Sequence, residues 1–219
     1  MYRVKEMFYT LQGEGAQAGR PAVFCRFSKC NLWTGREKDR ATAVCTFCDT
    51  DFVGTDGQNG GRFADAESLA RRIAAFWPDF SQGRPFVVCT GGEPLLQLDV
   101  PLIEALHRQG FEVAVETNGT LPAPAGIDWL CVSPKADAPV VITRCDELKL
   151  VYPQPLALPE RFAHIEAGHY FLSPMASPRP PVEGVDPVKQ VNTRAAVEYC
   201  LAHPKWKLTL QLHKILDID

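Results

Sequence analysis

The sequence predicts an α/β fold: an incomplete, helix-poor relative of the (β/α) barrel, built on a parallel sheet. Three observations carry this. Short β-branched, apolar runs recur between Gly, Pro, Asn and Asp; only three segments show a helical period; and two connections are too irregular and proline-rich for a full helix.

The strands read in order as AVFCRF (22–27), FVVCT (86–90), FEVAVE (111–116), DWLCVS (128–133), ELKLVY (147–152), HYFLS (169–173) and KLTLQL (207–212). Near-continuous apolar strands alternating with helices belong to a sheet covered on its faces, hence a parallel one. The first helix, 64–77, takes Asp65 as its N-cap and sets Leu69, Ile73 and Phe76 or Trp77 along one face. The second, 99–110, opens on Asp99 and stops at Gly110; the third, 192–204, opens on Asn192 or Thr193 and stops before Pro204. From 116 to 128 and from 133 to 147, Pro122, Pro124, Gly126, Pro134 and Pro139 leave no room for a full helix. The result is a partial TIM barrel. The stretch GTDGQNGG (54–61) reads as a loop rather than a linker, so a single domain is expected over 1–219.

Composition removes several classes. At 46% hydrophobic the chain is not a disordered one, and a net charge of −3 lacks the basic excess of a nucleic-acid-binding surface. No apolar run reaches membrane-spanning length, and the N-terminal MYRVKEMFYTLQGEG lacks a signal-peptide core. A cytoplasmic protein is expected, its eight cysteines being thiols or metal ligands rather than a disulfide framework.

The polar motifs fall at strand ends: TGGEP after one strand, ETNGT after the next, SPK after a third, SP after another, and QLHK at the exit of the last. In barrel-like parallel sheets that rim is where the active site is built. The cysteines add a metal. CTFC (45–48) is a CxxC, and with Cys30 it makes a three-thiol set, or with Cys25 a four-thiol one. The first suits an iron–sulfur cluster with an open iron; the second would be a closed structural zinc site. Cys25, inside AVFCRF, reads more simply as a small buried apolar side chain, and Cys89, Cys131, Cys145 and Cys200 likewise as structural.

The cysteine trio, with an aromatic residue before the last cysteine and GGEP downstream, resembles the radical S-adenosylmethionine superfamily. That group commonly spaces its cysteines CxxxCxxC, whereas fourteen residues separate Cys30 from Cys45, an enlarged cluster loop at about 30–48. LQGEG, RFSKCNLW, CTFCDTDF, TGGEP, ETNGT, SPK and QLHK together resemble the 7-carboxy-7-deazaguanine synthase family, along nearly the whole chain.

The resemblance implies a 4Fe–4S cluster on Cys30, Cys45 and Cys48, whose open iron is chelated by S-adenosylmethionine. Around that cofactor it sets Phe47, Asp49, Gly92, Glu93, Ser133, Lys135 and Ser173, with Gly91 and Gly92 admitting its methionine end and Glu93 accepting from its ammonium. Mg²⁺ falls to Thr50. The substrate, 6-carboxy-5,6,7,8-tetrahydropterin, falls to Leu11, Gln12, Gly13, Glu14, Arg26, Thr90 and the carboxylate of Asp219, with Glu116 and His213 for orienting or proton chemistry. Arg26 suits the substrate carboxylate through its bidentate fork, and an alternating strand turns it away from Cys25. The reaction implied is ring contraction to 7-carboxy-7-deazaguanine with loss of ammonia, in queuosine-type 7-deazapurine biosynthesis. A flavodoxin-type electron donor and a homodimer are expected from relatives. Two rivals stand beside this reading: a glycyl-radical-enzyme activase, and a zinc-binding structural or interaction module.

Overall fold

The structure, a computed structural model, describes residues 1–177 and 184–218. Its strands are β1 (Tyr2–Leu11), β2 (Pro21–Phe27), β3 (Gly61–Phe63), β4 (Phe86–Gly91), β5 (Glu112–Thr117), β6 (Trp129–Val132), β7 (Arg144–Tyr152), β8 (Glu166–Pro174) and β9 (Lys207–Leu208). They form one nine-stranded sheet in the order β3-β1-β2-β4-β5-β6-β7-β8-β9. β1 runs antiparallel to both β2 and β3, and every later pairing from β2 to β9 is parallel. The α-helices are α1 (Ala66–Ala74), α2 (Val100–Arg108), α3 (Pro187–Ala202) and the short α4 (Leu212–Leu216). Neither 116–128 nor 133–147 contains a helix. The expected partial, helix-poor barrel is what forms.

Side-chain alternation splits the sheet into two chemistries. On β2 the residues Val23, Cys25 and Phe27 enter a core shared with Leu69 and Ile73 of α1 and Leu102 and Leu106 of α2. Val87 and Cys89 of β4 and Val113 and Val115 of β5 join them, while Leu148, Leu150 and Leu172 meet Ala196 of α3 in a second core. The alternate residues face inward. At the N-terminal ends of the strands, Ala22, Phe86, Val88 and Ala114 pack with Phe24 and Trp129 into an apolar plug. One pleat further along each strand come Arg26, Thr90 and Glu116. The period of two thus closes one end of the barrel with hydrocarbon and lines the other with polar groups.

The helix signals hold in part. Asp65 caps α1, accepting from the backbone N–H of Ser68 at 2.7 Å in a reciprocal capping box worth about 1 kcal/mol. Asp99 caps α2 through the N–H of Leu102 at 3.1 Å. α3 begins earlier than expected, on Asp186 rather than Asn192 or Thr193: Asp186 accepts from Val188 and Lys189, and Pro187 fills the first helical position. β1 and β3 were not expected as strands. A register shift between Val4 and Glu6 breaks the alternation of β1, and Lys5 lies buried there because Asp51 at 2.9 Å and Asp56 at 3.0 Å pair with it. The expected last strand, 207–212, stops after Leu208, and the chain turns into α4. Among the described residues, no helix is long and apolar enough to cross a membrane.

Candidate active site

The polar ends of the strands open into a cavity of about 440 Å³. Cys30, Cys45 and Cys48 line one wall of it. The fourteen residues between the first two do not hold them apart, because the N–H groups of Val44 and Cys45 both donate to the carbonyl of Leu32, at 3.2 and 3.5 Å. The excursion 33–43 therefore leaves and rejoins the path at one point, as a compact surface loop. Its base is Trp33, buried edge-on against Phe52 with ring centroids 5.7 Å apart. The Cys45 thiol bonds to the sulfur of Cys48; that proton pushes Cys45 far up and draws Cys48 down to about 6.

Cys25 does not join the set. It is fully buried on the helix-covered face beside Cys89, and burial pushes its thiol well up. Among the described residues no group of three or more His, Cys, Asp or Glu gathers round a single ion. Three soft thiols bordering a cavity, with the nearest other cysteine turned into the core, fit a 4Fe–4S cluster that leaves one iron to another ligand. The four-thiol zinc alternative loses its fourth ligand.

The GGEP and ETNGT segments brace this wall. A Cβ on Gly91, whose φ is +134°, would sit 2.2 Å from the carbonyl oxygen of Phe27; one on Gly92 would sit 2.1 Å from that of Lys29. The close approach these glycines allow is therefore to the cysteine-bearing backbone itself, although both also border the cavity. Glu93, expected beside the cofactor, is wholly buried and is not among the cavity-lining residues. Its carboxylate accepts from Thr117 Oγ1 at 2.7 Å, the N–H of Asn118 at 2.8 Å and that of Leu95 at 2.9 Å. Burial raises its pKa despite those donors. Asn118 in turn donates to Asn31 at 2.9 Å, next to Cys30. Glu93 ties strand ends together and holds the segment beside the cluster wall.

Opposite lies the inward polar layer. Gln12 donates to Glu116 at 2.9 Å and accepts from the N–H of Glu14. Lys149, almost fully buried, reaches Glu14 at 2.8 Å and Glu116 at 3.3 Å. Burial alone would raise Glu14, but the Lys149 ammonium outweighs it and holds the carboxyl below its ordinary value. For Lys149 burial works downward, and Glu116 and Glu14 overcome it, lifting the ammonium well above its ordinary value. Arg26 faces the cavity from β2, opposite in direction to Cys25, and its Nε donates to Glu6 at 2.7 Å. Leu11, Gly13 and Thr90 complete this side.

Phe47, Asp49, Thr50, Ser133, Lys135 and Ser173 also line the cavity. Lys135 curls back to donate to the carbonyl and hydroxyl of Ser133, both at 2.6 Å. His213 sits in α4 rather than at a strand exit, because the chain leaves the sheet after Leu208. Its ring packs on Gly13, where a Cβ would meet Nδ1 at 2.3 Å. Burial first, and Lys214 beside it, hold the imidazole below its ordinary pKa, so it is neutral at pH 7. Lys214 pairs with Asp49 and ties α4 to the cysteine segment. Asp219 lies outside the described residues.

Lys149, Asn31, Asn118 and Lys214 were missed in the sequence. For Lys149 a signal existed: in ELKLVY, Glu147, Lys149 and Val151 alternate with Leu148 and Leu150, so the charges share the inward face.

The sequence model of the Radical SAM superfamily matches residues 40–145, from inside the cysteine loop into β7. With three thiols at the mouth of a partial barrel, this makes the chain a radical S-adenosylmethionine protein. The 7-carboxy-7-deazaguanine synthase of Bordetella pertussis is 63% identical over 99% of both chains, and that of Caulobacter vibrioides 61% over the same shares. The crystal structure of QueE from Escherichia coli superposes with a TM-score of 0.68 at 27% identity, covering 97% of this chain and 94% of that one. The chain belongs to the 7-carboxy-7-deazaguanine synthase family.

Proposed function

We infer that this chain is a radical S-adenosylmethionine lyase that converts 6-carboxy-5,6,7,8-tetrahydropterin to 7-carboxy-7-deazaguanine with release of ammonia, in queuosine-type 7-deazapurine biosynthesis. The observation that carries this reading is a single cavity with Cys30, Cys45 and Cys48 on one wall and Gln12, Glu14, Arg26, Glu116 and Lys149 on another, in a chain 63% identical to a synthase of that name.

Cys30, Cys45 and Cys48 would hold the 4Fe–4S cluster, which, with S-adenosylmethionine bound, supplies a 5′-deoxyadenosyl radical able to take the hydrogen atom from C6 of the pterin. Phe47, Asp49, Gly92, Ser133, Lys135 and Ser173 border the space such a cofactor needs. Glu93, shut off from the cavity, acts on it only by fixing the backbone. The remaining side chains bind and orient. Arg26 takes the substrate carboxylate with the guanidinium nitrogens beyond the one given to Glu6. Glu14 and Glu116 accept from the aminopyrimidinone edge, and Lys149 keeps both in place. Gln12 and Thr90 add a hydrogen-bonding amide and hydroxyl. His213, neutral and at the rim, can give or take a proton at a ring nitrogen as the substrate's amine leaves. The polar walls hold the substrate in one pose, and proximity is most of what such a site contributes.

Mg²⁺ belongs to Thr50. Its hydroxyl is a hard oxygen donor at the cavity wall, and waters and substrate oxygens would fill the rest of the shell. We also read 1–219 as one catalytic domain, cytoplasmic, reduced by a flavodoxin-type protein and active as a homodimer. The decisive experiment is anaerobic reconstitution with iron and sulfide, then incubation with the tetrahydropterin, S-adenosylmethionine, Mg²⁺ and reductant. Mass analysis should find the deazaguanine acid, one per substrate consumed. Cofactor cleavage without that product would move the chain to another radical reaction, and one tightly held zinc per chain would remove catalysis altogether.

A further inference from the structure

Within the excursion 33–43, every nitrogen of one guanidinium is committed. Arg40 Nη1 donates to the carbonyls of Thr46 at 3.0 Å and Cys48 at 2.9 Å, both in the turn that carries Cys45 and Cys48. Its Nε and Nη2 grip Glu37, Nε at 3.0 Å. The guanidinium carbon lies 4.1 Å from the centre of the Trp33 ring, so the cation is also stacked. Trp33 itself is buried, and its indole N–H donates to the carbonyl of Arg36 at 3.3 Å. Glu37 and Arg40 belong to one 3-10 turn, Glu37–Thr42. The loop thus builds a platform, in which Glu37 takes the Nε and Nη2 edge of the guanidinium and Nη1 is presented to two carbonyls of the turn.

Two consequences follow from chemistry. A turn whose carbonyls are pinned presents its two sulfurs in one arrangement, whether or not iron is present. A guanidinium is charged at every working pH, and this one, bonded to the Thr46 and Cys48 carbonyls from outside the cavity lining, favours negative charge on whatever the neighbouring sulfurs hold. We propose that Arg40 is a positioning residue for the three-thiol centre: it fixes the 45–48 turn through its carbonyls and stabilises the added electron of the reduced cluster. This rests on the reading of Cys30, Cys45 and Cys48 as cluster ligands.

The test compares Arg40→Lys and Arg40→Gln with the unchanged chain and with Cys45→Ala, all reconstituted anaerobically. Iron and sulfide content, iron loss to a chelator, and the cluster's midpoint potential, followed by electron paramagnetic resonance, are the readouts. Outer contacts to a metal centre are typically worth ten- to a hundredfold in affinity, so Arg40→Gln should lose iron about ten times faster, at a more negative potential. Arg40→Lys keeps the charge but loses the two-nitrogen grip on Glu37 and the planar stack on Trp33 that aim Nη1 at the two carbonyls. It should lose iron faster while holding its potential near that of the unchanged chain, and it serves equally should the Gln variant fold poorly. Should both variants keep their iron and potential while Cys45→Ala loses its cluster, Arg40 is no more than loop packing and the proposal is wrong. If Cys45→Ala keeps four irons, the ligand reading itself has failed, and the proposal with it.

Discussion

Replacing Lys149 by Met isolates the charge balance of the cavity floor. The side chain is 5% exposed, and its partners Glu14 and Glu116 are 16% and 25% exposed. At an effective dielectric of about 20, attraction at 2.8 and 3.3 Å amounts to roughly 5–6 kcal/mol for each pair before desolvation is charged against it. The net worth of such a cluster is small, but removing one partner leaves buried charge unmatched, at a cost of about 3–5 kcal/mol. For a chain of this size that lowers Tm by about 6–20 °C at pH 7.

The sign of the pH dependence is fixed by the two shifts. Glu14 is held below its ordinary value, so its contribution is present above about pH 4.3 and is lost as pH falls through its folded value. Lys149 is held above its ordinary value, so its contribution is present below about pH 10.4 and is lost as pH rises through its folded value. Both operate at pH 7. In the Met variant burial still pushes the Glu14 carboxyl up, while its strongest opponent is gone and only His213 and Gln211 still hold it down, so acidification neutralises it more readily and returns stability. Thermal unfolding of the anaerobic protein, followed by circular dichroism, should show the gap between the two chains narrowing from pH 7 towards pH 5. Equal Tm values at pH 7, or a gap that does not change with pH, would refute the charge-balance argument.

Cys25→Ala should leave iron content unchanged and cost only about 1 kcal/mol of stability, measured by urea unfolding, because the side chain sits in the helix-covered core. Gly92→Ala drives a methyl group into the Lys29 carbonyl and towards Cys30, so reconstitution should yield far less than four irons per chain by colorimetric assay, with a stability loss of about 1–3 kcal/mol. Glu93→Gln cannot accept at both oxygens from the Thr117 hydroxyl and the Asn118 N–H, and should lower Tm by several degrees while S-adenosylmethionine affinity, read by calorimetry, changes less than for Lys135→Ala. Asp65→Ala removes a cap remote from the cavity and should cost about 1 kcal/mol with product formation unaltered.

What the sequence made legible follows from how local each signal is. The inner strands announce themselves because both faces are buried, as in FVVCT, where Val87 and Val88 are both fully covered. β1 hides because its bulge shifts the alternation and because Lys5 is buried on carboxylates some fifty positions away, Asp51 and Asp56. Thr193 looks like a helix start, yet its hydroxyl donates back to the Lys189 carbonyl at 2.7 Å inside α3. KLTLQL alternates like a strand, but only Lys207 and Leu208 pair in register with β8, and after one last bond from the Thr209 N–H to the Leu172 carbonyl the chain turns away. In the cavity, Arg26 and Glu116 were readable from alternation and motif. Lys149 was readable in principle, from charges recurring at period two in a strand with apolar neighbours. Asn31 and Asn118 were not, since their bond joins segments 87 residues apart.

The cysteine spacing shows why a motif can stretch without losing its chemistry. A count of intervening residues measures chain length, whereas a metal centre responds only to where the sulfurs finish. Here Leu32 accepts from Val44 and Cys45, so the excursion 33–43 is closed off at its neck. Closing a loop of this length adds an entropic cost that grows only slowly with residue number. Trp33 on Phe52 and Arg40 on Trp33 supply the burial and stacking that offset it. An insertion that seals its own neck can therefore lengthen the spacing freely, and the contacts inside it become the chain's means of adjusting the site. The three thiols are braced from three sides: the turn carrying Cys45 and Cys48 by Arg40 and by the Lys214 bridge to Asp49 next to it, and the Cys30 segment by the glycines that let β4 press against Lys29 and Cys30. Each brace comes from a different part of the chain, so the placement of the three sulfurs is set by the assembled barrel rather than by the spacing of the cysteines.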